Sequence, residues 1–98
     1  MIKQITPEFL RSVIVNGAQF DYNDKTLYFN VFVNDRKQKI VQLLQLDSPN
    51  SSTPLVLVSI AKNPDTFYAT WNIEALFGSG FYEIVAGEIL SYLNQNTN

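Results

Sequence analysis

The strongest constraint on this chain is the strict alternation of residues 26–34. Leu27, Phe29, Val31 and Val33 fall on one side of the run; Thr26, Tyr28, Asn30, Phe32 and Asn34 fall on the other. A period of two describes an extended strand with two unlike faces. The turn-forming segment Asn34-Asp35-Arg36-Lys37 follows, and residues 39–46 return with an apolar pattern of their own. Together they predict a β-hairpin. A helix over 36–46, with Ile40, Leu43 and Leu44 inward, is the weaker alternative. A loop of two or four residues sets Leu27 opposite Leu44 and Val31 opposite Ile40. On the other face it sets Tyr28 opposite Leu43, Asn30 opposite Val41 and Phe32 opposite Lys39. A slip of one residue would exchange the faces, so the register is a sharp expectation.

The flanks supply the remaining elements. Thr6 as cap, Pro7 at the first helical position and Glu8 in the first turn begin a helix that Asn16-Gly17 ends. Ile5 and Leu10 suit a hydrophobic staple, and Phe9, Leu10, Val13 and Ile14 make one apolar face. Residues 19–22 turn through Asn23-Asp24 into the alternating strand. The stretch from Asp47 to Pro54 is a surface loop. Residues 55–60, Leu-Val-Leu-Val-Ser-Ile, are apolar on both sides, as in a central strand buried on both faces. Residues 62–65 turn the chain, and 66–72 alternate as another strand. Residues 73–77 begin a helical turn that Gly78-Ser79-Gly80 breaks. A last helix covers 81–93, and residues 94–98 are expected to fray. The fold expected is α+β, as one domain over residues 1–98. It has two layers, an antiparallel sheet of about four to five strands and an N-terminal and a C-terminal helix packed on one face.

Few kinds of chemistry are open to this composition. There is no cysteine and no histidine, so disulfides, thiolate zinc sites and the commonest metal ligand are excluded. The carboxylates form no evident pair: Asp21 and Asp24 flank a turn, and Glu83 and Glu88 point about 140° apart on a helix. A serine nucleophile has no histidine base, and no spacing favours lysine in its place. Gly78-Ser79-Gly80 resembles neither phosphate-binding pattern, since no lysine and no third glycine follow at the required spacing, and is expected to cap helices. The chain is therefore not expected to be an enzyme, and no catalytic residue, metal or cofactor is assigned. The Asn50-Ser51-Ser52 glycosylation pattern lacks a secretory context. With no signal-like or membrane-spanning stretch, a cytoplasmic protein without a membrane role is expected.

Charge and apolar content point to binding instead. All seven basic residues lie in 1–62, while 63–98 hold Asp65, Glu74, Glu83 and Glu88 with no base. Lys25, Arg36, Lys37 and Lys39 gather near the central hairpin beside Tyr28 and Phe32. That arrangement makes a single-stranded nucleic-acid binder the alternative reading. The net charge of −2 and pI near 4.8 disfavour it. Leu, Ile, Val and Phe make up a third of the chain, more than one helix-covered sheet face needs. The expected interaction surface is the other face, carrying Tyr28, Phe32, Lys39, Val41 and Leu43. The C-terminal segment could wrap over it. Otherwise it binds a protein, and a homodimer is the form expected. No family's residue motif is matched. Small acidic helix–sheet–helix domains include chaperone-like, immunity-like and inhibitor-like binding proteins, a likeness of fold class alone, and a small adaptor, inhibitor or chaperone-like protein is the role expected.

Overall fold

A computed structural model describes residues 6–46, 54–62 and 65–95. The elements run α1 (Pro7–Asn16), β1 (Phe20–Tyr22), β2 (Lys25–Val33), β3 (Lys39–Gln45), β4 (Leu55–Ala61), β5 (Thr66–Ala69), α2 (Ile73–Phe77) and α3 (Phe81–Gln95). The five strands form one antiparallel sheet in sequence order. The α+β class and its terminal helices are as expected, and residues 39–45 are a strand rather than a helix. The expected staple residue Ile5, most of the 47–54 loop with the Asn50 pattern, the Asn63-Pro64 turn and the final three residues lie outside the described residues.

Local chemistry accounts for the first elements. The Thr6 hydroxyl accepts the Phe9 N–H at 3.2 Å, occupying one of the donors a helix start leaves free. Gly17 ends α1 at φ 66, where its N–H reaches the Val13 carbonyl at 2.9 Å. Asn23 and Asp24 both adopt positive φ, 56° and 64°, and so close β1 onto β2 with a two-residue turn.

The β2–β3 register differs by one residue from the sequence expectation. Leu27 pairs with Gln45, Tyr28 with Leu44, Phe29 with Leu43, Val31 with Val41 and Phe32 with Ile40. The cause lies in the turn. The Asn34 N–H bonds the Gln38 carbonyl at 3.0 Å, leaving three residues, Asp35, Arg36 and Lys37, in the loop. The Lys37 N–H donates to the Asn34 carbonyl at 3.0 Å, and Lys37 itself sits at φ 62. This is a type I turn followed by a left-handed residue, the usual three-residue hairpin. The Asn34 side-chain oxygen also accepts the N–H groups of Arg36 and Gln38, both at 2.9 Å. An odd loop reverses the parity that a two- or four-residue loop implies.

A second irregularity explains the doubly apolar β4. Leu43 pairs with Val58 but Leu44 pairs with Val56, so Leu57 is an extra residue in a bulge. Leu57 and Val58 are both fully buried and both belong to the core. β4 is thus apolar at consecutive positions without having a layer on each side.

All three helices lie on one face. Leu27, Phe29, Val41, Leu43, Val58 and Ile60 of the sheet share one core with Leu10, Val13 and Ile14 of α1 and Phe81, Val85, Ile89 and Leu93 of α3. Each such side chain stabilises the fold by roughly 1.5–3 kcal/mol relative to exposure. The residues facing the other way, Leu44 and Ala61 included, are outside that core. α2 carries the chain from β5 to the opposite edge, where Tyr22 stacks on Phe77 at 6.2 Å and on Phe81 at 5.6 Å. Gly78 and Gly80, at φ 105 and 86, reverse the chain between α2 and α3. α3 continues through Gln95, two residues beyond the expected end at Leu93, and the Asn94 side-chain oxygen accepts from Lys62 Nζ at 2.5 Å.

Candidate interaction surface

The one-residue change in register redistributes the residues expected on the helix-free face. Tyr28 and Phe32 remain there. Val41 and Leu43 do not: both are fully buried on the helix-covered side, opposite Val31 and Phe29. Lys39 also points to the helix side, with Nζ 5.4 Å from the centre of the Tyr92 ring on α3. Ile40, Gln42 and Leu44 take the places that Lys39, Val41 and Leu43 were expected to occupy.

The face that results consists of cross-strand rows. One row joins Tyr28, Leu44 and Val56; the next joins Asn30, Gln42, Ser59 and Tyr68; the third joins Phe32, Ile40, Ala61 and Thr66. A polar row, with Gln42 Nε2 at 3.5 Å from Ser59 Oγ, therefore lies between two mainly apolar ones. Phe32 is 37% exposed and Tyr68 51%, while Leu44 and Ala61 are buried. None of these eleven positions carries a charge. A sheet face adapted only to water would ordinarily include lysine or glutamate, whereas the centres of protein interfaces are poor in charge and rich in aromatic residues. The C-terminal segment does not wrap over this face through residue 95, because α3 packs on the other one.

The basic residues near the hairpin do not assemble in one place. Lys25 stands opposite Tyr22 at the β1–β2 turn, while Arg36 and Lys37 are at the far end of the nine-residue β2. Lys39 and Lys62 serve the C-terminal end of α3, one over Tyr92 and the other on Asn94. α3 has no base in its own last turn, so cations from the sheet complement its dipole. The acids show the converse pattern: Glu8, Glu74 and Glu83 occupy the first turns of α1, α2 and α3. Much of the charge asymmetry is thus arranged around helix ends.

A groove of about 330 Å³ lies between α1 and α3, lined by Arg11, Ile14, Val15, Glu88, Ser91, Tyr92 and Gln95. Its two charges form an ion pair, Arg11 Nε to Glu88 Oε1 at 3.3 Å. Glu88 packs against α1. None of the groove's lining residues belongs to the Gly78–Gly80 turn. Among the described residues no three carboxylates come together in a way that could hold a metal ion. No helix among them is long and apolar enough to cross a membrane.

Three of the exposed aromatic side chains lie at or next to β5. Phe67 is 53% exposed, Tyr68 51% and Trp71, just beyond the strand, 92%. The alternation of 66–72 placed them in a strand, but period alone does not show that the strand is an edge. No known protein family, curated protein or solved structure matches this chain.

Proposed function

We propose that the chain is a non-catalytic protein-interaction module that docks a protein partner on its helix-free sheet face. A second copy is the simplest such partner. The observation that carries the reading is the absence of charge across the rows of that face from β2 to β5, combined with the part-exposed Tyr28, Phe32 and Tyr68. Burying such a surface costs no ion desolvation, and its aromatic groups supply contact area. The central Asn30–Gln42–Ser59 row supplies hydrogen-bonding groups that specify orientation. The role expected is that of a small adaptor, inhibitor or chaperone-like protein in the cytoplasm.

The test is the double variant Asn30→Lys, Phe32→Glu, which preserves net charge at two exposed positions. Circular dichroism checks that it folds. Sedimentation equilibrium and comparative affinity capture then follow the wild type and the variant. Loss of self-association, or of a discrete captured protein, is expected. A wild type that stays monomeric and captures the same proteins as the variant refutes the reading.

A further inference from the structure

The two edges of the sheet are finished differently. β1 is three residues long and fastened to α2: Tyr22 stacks on Phe77, and the Asn23 side chain donates to the Leu76 carbonyl. Among the described residues β5 pairs with β4 alone, and it carries the exposed Phe67 and Tyr68, with Trp71 beyond. The Thr70 N–H reaches the Leu57 carbonyl at 2.9 Å. Alternation along an antiparallel ladder then turns the backbone N–H and C=O of Phe67 and Ala69 away from β4. Such an edge is a template for another strand unless charge, proline or a covering element blunts it. β5 has neither lysine nor proline.

We propose that the β5 edge receives an extended segment bearing lysine or arginine as a sixth strand, with a cationic side chain over the Trp71 indole. Backbone pairing to Phe67 and Ala69 supplies the strand addition, and tryptophan is the best aromatic partner for a cation. Charge selects the occupant. Asp65 precedes the strand and Glu74 follows it, both exposed, and residues 63–98 contain no base. The nearest base in sequence, Lys62, is directed to Asn94. Antiparallel pairing with a second copy's β5 would bring Asp65 of each chain towards the Glu74 end of the other, setting like charges together. A basic segment has the opposite effect. This edge adjoins the helix-free face at Thr66 and Tyr68, but the proposal does not rest on the function proposed for that face.

The probe is a capped synthetic peptide alternating valine with lysine. Trp71 is the only tryptophan, so its emission reports the edge directly. A saturable emission change that weakens as salt rises is expected. Trp71→Ala, followed by anisotropy of labelled peptide, should weaken binding ~10-fold. The same peptide N-methylated at alternate residues should not bind, and Asn30→Lys, Phe32→Glu should bind it normally. The proposal is overturned if the wild type does not bind the peptide, or if a glutamate counterpart or the methylated peptide binds equally well. It is also overturned by unchanged affinity in Trp71→Ala, or by a dimer that Trp71→Ala disperses.

Discussion

Exchanging the character of two neighbouring residues on β3 tests the observed register directly. Val41 is fully buried in the core, whereas Gln42 faces away with its amide near Ser59. Val41→Asn loses the burial of valine, about 1.5–3 kcal/mol, and encloses an amide without partners at about 1–3 kcal/mol more. The expected loss is about 3–5 kcal/mol, a large part of the ~5–15 kcal/mol typical of a domain this size. Gln42→Val gives up one long hydrogen bond and gains strand propensity, so it should fall within about 0.5 kcal/mol of wild type. Urea denaturation followed by far-ultraviolet circular dichroism is the suitable assay. Trp71 is already 92% exposed in the folded state, and its fluorescence would report unfolding poorly. With a slope of about 1–3 kcal/mol per molar urea, Val41→Asn should lower the midpoint by at least about 1 M. In the alternative register the two roles reverse. A cost below about 1 kcal/mol for Val41→Asn, with a gain of about 1 kcal/mol or more from Gln42→Val, would refute the placement of both residues.

Other substitutions probe the turns and helix ends. Lys37→Gly, at φ 62, relieves a left-handed backbone and should stabilise the protein by up to about 1 kcal/mol, seen as a higher urea midpoint. Thr6→Ala removes the α1 cap and should cost about 1 kcal/mol, lowering the melting temperature by roughly 4–8 °C in calorimetry. Gly80→Ala, at φ 86, should destabilise by about 1 kcal/mol or more in the same assay, because the conformation rather than space is limiting. Arg11→Ala breaks an ion pair whose arginine is half exposed, and its denaturation midpoint should change by less than about 1 kcal/mol equivalent, less still in salt.

Most elements were legible because short-range chemistry specifies them. Thr6-Pro7 and Asn16-Gly17 mark α1 at both ends, and Asn23-Asp24 marks a two-residue turn. The strand at residues 26–33 follows from alternation alone. Parity across the next turn was not legible, because it depends on whether the loop has an odd or even count of residues. Lys37 occupies a left-handed position where glycine is the usual signal, so nothing in Asn-Asp-Arg-Lys-Gln announced the three-residue loop. That one residue moved Val41 and Leu43 from the expected surface into the core and brought Ile40, Gln42 and Leu44 out. The bulge at Leu57 was hidden for a related reason: in a run such as Leu-Val-Leu-Val, apolar residues at successive positions fit either two buried faces or one interrupted face. Lys25 and Arg36 looked close along the sequence but are separated by the length of β2. Exposure of Trp71 depended on strand order, which periodicity does not encode.

The central claim is that the helix-free face around Phe32 is where a protein partner binds. Site-specific photo-crosslinking tests it most directly, with a benzophenone side chain replacing Phe32 in one protein and Ser12, exposed on α1, in another. The account predicts a discrete protein adduct, either with a second copy or with another chain, from position 32 and none from position 12. No adduct from position 32, or the same adducts from both positions, would contradict it.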